Sequence, residues 1–547
     1  MKRYLFVFDK YKSILIGLAL LAIVSSLLSI VSTYYGGMFI DTVIYAESFE
    51  DILWICLVLL GLSFIGLVLR LLISYIMKPT TEKLVYELKQ YILSHLKKIP
   101  FMKYKEFEPS YLSKRIDEDS RQVTQFFADN YATVAIKGIE LVVVSFLVLS
   151  INLYIGLLMA ILCPIYFFIY RKFRKPIFEK SLEMREKSSE FFQDYTQQLD
   201  YMEDIVIEAN FPKEEALLDR QFSSYYKKFK EYVVVNTNMG FLQGFVVTFM
   251  QVVIFFIGGL SVLHGHTTIG LLSILMVYFN IILGNISYYV ELARKYQINK
   301  SAIHRMDAIM NIPKQEDGES DISGVSSIDT NVSYSINGKT LLNGVTIKAR
   351  KGEAICIRGA NGVGKSTLLK IMMGIIRLNE SSVVFNKNYS INSLDIIKFR
   401  NKELAYVPQK IRFRNLALRE LFNEVSYFAD YNDALIFLKN KDIIVGSDID
   451  GLISANWDKQ VNALSGGDRQ LIAILYNLMK GSSILIMDEP TSNLDQSRLA
   501  WFKELVVRIK KNKIVIIVSH DDDVEAYDSI ITIGGLHDYE LERQQPK

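Results

Sequence analysis

The sequence predicts a membrane α-helical bundle of six transmembrane helices followed by an α/β domain of the phosphate-loop kind, and three observations carry that prediction. Six apolar segments approach or reach the roughly 20 helical residues that a hydrocarbon core of about 30 Å demands. From about residue 325 onward the pattern changes to strand-like apolar runs alternating with helical ones. One of those runs leads directly into a glycine-rich loop that ends Gly364-Lys365-Ser366-Thr367.

Composition sets the outer limits. With 547 residues, 50% apolar content, 31 Tyr and 32 Phe, the chain can bury large cores and is not of a disordered class. Its 62 basic and 59 acidic residues leave a net charge of +3, so no overall field points to nucleic acid. Of the three cysteines, Cys56 and Cys163 fall in apolar runs and Cys356 in a strand-like run, so all three are expected to be buried small hydrophobes rather than ligands or disulfides. The basic start, residues 1–12, precedes an apolar run without a small-residue cleavage site, which reads as a retained span.

The six segments lie near 13–35, 52–77, 131–151, 153–172, 239–263 and 267–292, with a tight turn at Asn152 between the third and fourth. Lysine and arginine set the orientation. The loop after the first span carries Asp41, Glu47, Glu50 and Asp51 and no basic residue, whereas 78–130, 171–232 and 294–305 are rich in Lys and Arg. The basic loops and both termini are therefore expected in the cytoplasm. Leu84, Leu88, Ile92 and Leu96 recur at helical spacing inside the first long basic stretch, which predicts that membrane helices continue outward as stalks.

Charges inside spans are costly in lipid and mark candidate cavity residues: Arg70, Lys137, Glu140 and Glu291. Arg70 and Glu291 can equally snorkel to a membrane face, and Lys137 and Glu140, three apart, can pair. Asn280 and Tyr288 join the candidates. Together with Gln243, Gln251, Asn285, Tyr278 and Tyr289 they make the last two spans amphipathic, a pattern that helix–helix hydrogen bonding explains as well.

A polar stretch, residues 316–324, places a domain linker at 311–324, between a membrane domain at 1–310 and a nucleotide-binding domain at 325–547. In that second domain Ala354 to Arg358 is strand-like, Gly359 to Thr367 is the loop, and Leu368 to Ile375 is helical, the context a phosphate-binding loop requires. Gly359, Gly362 and Gly364, with Asn361, let backbone N–H groups curl around phosphate; Lys365 reaches the β and γ oxygens; the hydroxyl of Ser366, followed by Thr367, can ligate Mg²⁺. Ile484 to Asp488 is a second buried strand that delivers Asp488 and Glu489. Asp488 would hold Mg²⁺ and Glu489 would orient and polarise the attacking water. A third strand, Ile514 to Val518, leads to His520, an imidazole placed for the γ-phosphate.

Leu464-Ser465-Gly466-Gly467-Asp468-Arg469-Gln470 opens a further helix. Ser465 to Gln470 resembles the signature motif of ATP-binding cassettes, and the rest follows in family order. Tyr406 to Gln409 resembles the Q-loop, Ser492 to Asp495 the D-loop and His520 the switch histidine. The chain thus looks like a half-transporter of the six-span, type IV exporter class, similar to bacterial peptide and multidrug exporters. Ser110 to Asp119 resembles that class's first cytoplasmic loop and Ser301 to Met306 its exit from the sixth span. The resemblance implies ATP and Mg²⁺ as cofactors, Gln409 as a further catalytic and metal-binding side chain, and two cassettes closing head to tail. Ser465, Gly466, Gly467, Asp468 and Asp495 would then complete the ATP site of a second copy or of a homologous half-transporter. It also implies short coupling helices near 108–116 and 200–206, docked beside Gln409.

Three departures stand out. The position where the family stacks an aromatic on adenine is Ile336, so either Tyr334 substitutes or the stacking is weak. The family's Glu-Arg-Gly element before the signature is replaced by Trp457 to Ala463, and Asp468 stands where many members have Gln, a change expected to matter little. The leading functional expectation is ATP-driven export across a bacterial cytoplasmic membrane by alternating access, with a peptide or modified peptide as cargo. Multidrug or lipid export, siderophore-type import and an ATP-gated regulatory or immunity module remain alternatives. No protease-like stretch precedes the first span, so leader cleavage is expected to lie outside this chain.

Overall fold

The computed structural model describes residues 2–45, 48–336, 338–378, 382–441, 443, 446–519, 526–534 and 539–543, with the backbone alone for residues 2, 5, 110, 162, 163, 166, 167 and 539–543. The chain divides into two units, one of Met1–His95 with Pro109–Asn311 and one of Leu96–Glu108 with Ile312–Lys547.

The first unit is helical. Its elements are α1 (Lys2–Asp9), α2 (Lys12–Ile44), α3 (Phe49–Leu96, with its last residue in the other unit), α5 (Pro109–Lys114), α6 (Ser120–Asn130), α7 (Thr133–Ile151), α8 (Leu153–Asp200), α9 (Met202–Glu208), α10 (Phe211–Leu263) and α11 (Ile269–Met310); the intervening α4 (Phe101–Lys105) belongs to the second unit. Among the described residues five helical stretches are long and apolar enough to cross a membrane: 12–44, 49–96, 111–151, 211–263 and 269–310. The remaining expected span lies in α8. At 48 residues α8 is about 72 Å long, more than twice the hydrocarbon core, so the stalks are continuous with the spans. Asn152 makes the expected tight turn: its side chain caps α8 by accepting from the Ile155 N–H at 3.1 Å.

Side chains of α2, α7 and α11 form the apolar centre of this unit, with Ile30, Val148, Ile274, Phe279 and Ile282 buried. Helices α2 and α11 approach so closely that a Cβ on Gly270 would lie 2.1 Å from the Gly37 carbonyl oxygen. Next to that contact the Asp41 carboxylate accepts from the Gly270 N–H at 2.7 Å and the Thr268 hydroxyl at 2.6 Å, closing the start of α11. In the α8 and α10 stalks, Lys180 pairs with Glu231 at 2.7 Å and Lys228 with Glu183 at 2.7 Å. Leu84, Leu88 and Ile92 are buried as their spacing predicts. Cys56, expected to be buried, is exposed on α3 because its apolar run is a span with few neighbours inside the single chain. The Cys163 side chain lies outside the described residues, and Cys356 is buried as expected.

In the second unit the strands are β1 (Ser327–Ile336), β2 (Lys339–Arg350), β3 (Ala354–Arg358), β4 (Val383–Phe385), β5 (Tyr389–Ser390), β6 (Leu404–Val407), β7 (Ile484–Asp488), β8 (Ile514–Val518), β9 (Ser529–Ile533) and β10 (Tyr539–Arg543). The helices, continuing the numbering, are α12 (Lys365–Met372), α13 (Ile396–Lys402), α14 (Leu418–Asn423), α15 (Tyr431–Asn440), α16 (Ser447–Asn456), α17 (Gly466–Met479) and α18 (Gln496–Ile509). One sheet runs β10-β9-β3-β8-β7-β6, in which β3, β8, β7 and β6 pair in parallel; a second, antiparallel sheet runs β2-β1-β4-β5. Every residue of β7 and β8 is buried, as strands covered on both faces require.

The stretch expected as a linker is laid along this unit, with the Gly318 N–H on the Leu394 carbonyl at 3.0 Å and Asp317 paired with Arg377 at 2.7 Å. Residues 96–108 pack within this unit, just before the short helix expected near 108–116. Met102 rests on the core, and the ring of Phe101 lies 5.4 Å from the Lys105 ammonium and 6.0 Å from that of Lys370 on α12.

Candidate functional site

The phosphate loop is built by backbone geometry. Gly359, at the end of β3, has φ +148°, and a Cβ there would lie 2.5 Å from the Ile533 carbonyl oxygen, so only glycine fits. Gly362 and Gly364 also have positive φ, and Gly364 caps the start of α12, so the first N–H groups of that helix open onto the loop. Lys365 donates to the carbonyls of Gly359 at 2.6 Å and Ala360 at 3.1 Å, which folds its ammonium over the loop. Asn361 is exposed in the loop and Thr367 lies in the first turn of α12.

Asp488 ends β7 directly opposite Val518 at the end of β8. Its carboxyl is 4% exposed, and burial pushes its pKa up; the bond donated by the Ser366 hydroxyl opposes that shift and neighbouring Glu489 adds to it. A buried carboxylate beside a hydroxyl, with a second carboxylate adjacent, is a donor set of hard oxygens that suits Mg²⁺. Burial also pushes the Tyr406 hydroxyl, facing Asp488, up to about 12.

Glu489 takes φ +50°, a conformation that costs a non-glycine residue about 1 to 3 kcal/mol and is found where a site over-determines it. Its N–H extends the β7–β8 pairing by donating to the Val518 carbonyl at 2.9 Å, and its carboxylate accepts from the Gln409 amide at 2.7 Å. The strand ends therefore bring Lys365, Ser366, Gln409, Asp488 and Glu489 to one edge of the sheet. His520 lies outside the described residues, two positions after Val518.

Ser465 caps α17, accepting from the Asp468 N–H at 3.2 Å and donating to the Asp468 carboxylate at 2.7 Å. Asp495 caps α18, accepting from the Arg498 N–H at 2.9 Å. Arg498, which motif reading passes over, joins the two turns through a 2.7 Å bond to Asp468, and Gly467 leaves room for it: a Cβ there would lie 3.0 Å from the guanidinium and 2.8 Å from the Asn493 carbonyl. Asp468 is thus the anchor of Arg498. Gln470, the last residue of the signature stretch, donates to the Glu489 carbonyl at 3.4 Å. Tyr334 is partly buried against the core of its sheet, while Ile336 is exposed.

The membrane candidates do not gather into one site in the single chain. Lys137 and Glu140 pair at 2.7 Å and Glu140 also accepts from the Ser26 hydroxyl at 2.7 Å. Glu291 pairs with Arg294, Tyr288 donates to Asn130 at 2.7 Å, and Asn280 accepts from Gln251 at 3.4 Å. Arg70 is exposed.

A phosphate loop, a paired-carboxylate strand end and membrane-spanning helices in one chain define a membrane protein powered by nucleotide hydrolysis. The ABC transporter transmembrane region model matches residues 15–286 and the ABC transporter model residues 342–492. A putative export ATP-binding/permease protein of Rickettsia typhi is 25% identical over 96% of this chain and 92% of its own length. The lactococcin-A transport/processing ATP-binding protein of Lactococcus lactis is 22% identical over 94% of this chain and 72% of its own. A lipoprotein-releasing system ATP-binding protein of Buchnera aphidicola is 34% identical over 33% of this chain and 79% of its own. A bacterial Atm1-family ABC exporter solved with ATP bound superposes with TM-score 0.78 at 17% identity, covering 96% of this chain and 93% of that one. The chain belongs to the ABC transporter family, as an exporter half-transporter that couples ATP hydrolysis to transport.

Proposed function

We propose that this protein exports a peptide or modified peptide across a bacterial cytoplasmic membrane, working as a dimer with both termini inside. The observation that carries the energetic half is the Gln409–Glu489 bond beside Asp488 and Ser366. The phosphates sit on the N–H groups of the loop with Lys365 turned onto them. Ser366, Asp488 and the Gln409 amide oxygen would hold Mg²⁺, which when bound neutralises charge on the phosphate oxygens. The Glu489 carboxylate, held forward by its left-handed backbone, orients and polarises the attacking water, and His520 contacts the γ-phosphate. Tyr334 faces adenine. Ser465, Gly466, Gly467, Asp468 and Asp495 of one copy close over the phosphate loop of the other.

The peptide reading is supported by the likeness along nearly the whole chain to a transport/processing protein for lactococcin A, since a processed cargo is a cleavable one. Lysine and arginine in the stretches 78–130 and 171–232 support the orientation. The test is ATP-dependent uptake into inside-out vesicles. Peptide-stimulated ATPase activity with accumulation inside the vesicles is expected; stimulation without accumulation would sink export, and accumulation of drugs or lipids but not peptides would move the cargo.

A further inference from the structure

The left-handed backbone of Glu489 is held by bonds from different elements. Its N–H donates to the Val518 carbonyl of β8 at 2.9 Å. Its carbonyl accepts from the Ser492 hydroxyl at 3.2 Å, a bond local to the turn after β7, and from the Gln470 amide at 3.4 Å, which reaches it from α17. Gln470 is 1% exposed, so its amide has to be satisfied inside the protein. A carbonyl can only accept, so Gln470 turns its nitrogen to Glu489, and its oxygen accepts from the Asn493 amide at 3.4 Å. The helix that carries Gln470 is seated against the same turn. A Cβ on Gly467 would lie 2.8 Å from the Asn493 carbonyl oxygen, so only glycine lets α17 approach this closely.

A non-glycine residue in this conformation persists only where its surroundings over-determine it, so cutting one tie lets the backbone relax. Relaxation at Glu489 swings its side chain away from Gln409, whose amide meets the carboxylate at 2.7 Å. We infer that Gln470 is a positioning residue for ATP hydrolysis: its buried amide holds the Glu489 carbonyl so that the carboxylate stays where it orients the attacking water. Gln470 acts through the Glu489 peptide and not on the nucleotide, and the inference rests on the reading of Glu489 as the water-activating group. Both bonds of the amide are at the long end of the hydrogen-bond range, which sets the expected effect at about tenfold in turnover.

The experiment measures phosphate release at saturating ATP and the ATP Kd on the full-length protein in lipid nanodiscs. Gln470→Met keeps the length of the side chain and removes the donor. It should lower kcat by about tenfold with the ATP Kd within about twofold of wild type. In a Glu489→Gln background it should lower kcat by no more than about twofold further, because the group it positions is already gone. Asn493→Ala, at an exposed position, frees the Gln470 amide to turn and should lower kcat by about threefold with the same dependence on Glu489, and it decides the matter if Gln470→Met does not fold. A kcat for Gln470→Met within about twofold of wild type, an equal loss in both backgrounds, or a weakened ATP Kd that accounts for the loss overturns the inference. Glu489→Gln retaining more than about a tenth of wild-type turnover sinks the reading of Glu489 and this inference with it. A nearly inactive Glu489→Gln beside a full-rate Gln470→Met sinks this inference alone.

Discussion

At the end of β7, whose every residue is buried, Asp488 is followed by Glu489 with its left-handed backbone; the Ser366 hydroxyl donates to Asp488 and the Gln409 amide to Glu489. In the middle of the helical bundle, Lys137 and Glu140 lie three residues apart on α7 and neutralise each other, with Ser26 completing the carboxylate. At the strand end a hydroxyl and an amide donate to the acids, whereas in the bundle a lysine neutralises one. Burial raises the pKa of Asp488, and a cation beside it would favour its charged form; the left-handed backbone at Glu489 is a separate strain. An acid paired within its own helix is satisfied before any ligand arrives. The comparison teaches that burial of charge alone does not mark a working site; what differs is whether neutral donors or an opposite charge meet the acid.

The largest effect that would break this comparison is at Glu489. Glu489→Gln preserves the bond with Gln409 in shape but removes the charge, and phosphate release should fall by about 10² to 10⁴, the range for loss of a positioned base, while ATP binding by filter assay is retained. A tenfold fall or less would mean that the strained carboxylate is not the group that activates water.

Next in size is the membrane pair. Glu140→Ala leaves Lys137 without its carboxylate inside the bundle and should lower stability by about 3 kcal/mol, whereas Lys137→Met with Glu140→Leu should restore most of it. Thermal unfolding in detergent reads both, and ATPase turnover should stay within about twofold of wild type. If the double variant instead abolishes transport while remaining folded, the pair is a cargo contact and the two regions are more alike than drawn above.

A smaller effect separates the two turns that Arg498 joins. Arg498→Ala removes the 2.7 Å bond to Asp468, and Asp468→Ala removes the same bond from the other side, so each should reduce turnover by about tenfold and the double variant by little more. Strict additivity in the cycle would show that the two turns act separately.

Most of the nucleotide-binding architecture was legible because its chemistry is local. A strand, three glycines and a lysine within a dozen residues can only be read one way, and the acids at the end of Ile484 to Asp488 follow from one apolar run. Arg498 was not legible, since its partner lies 30 residues away and across two turns. The same holds for Glu140, whose hydroxyl partner Ser26 is 114 residues distant, and for Phe101, whose neighbour Lys370 lies on the helix that begins at Lys365. Helical spans were readable from length and apolarity, but which faces meet depends on close approaches such as that of Gly37 and Gly270, and composition does not encode these. Cys56 shows the limit in the other direction: an apolar neighbourhood in sequence meant an exposed position in the single chain.

The smallest predicted effect extends the contrast to a base. Lys513, just before β8, is pushed down to about 8, chiefly by burial and secondly by Lys441, although its ammonium donates to the Ser482 carbonyl. Below pH 8 both folded and unfolded chains carry this proton, and the folded state bears the full desolvation penalty. Between pH 8 and the ordinary lysine value of 10.5 the unfolded chain keeps the proton that the folded chain has lost, so stability rises with pH across that window. Allowing for partial solvent screening, the gain should be about 1 to 2 kcal/mol. Lys513→Met should unfold at a higher temperature than wild type at pH 7.5, and the difference should shrink towards pH 10. A difference that stays constant over that range would show that Lys513 is solvated like a surface lysine.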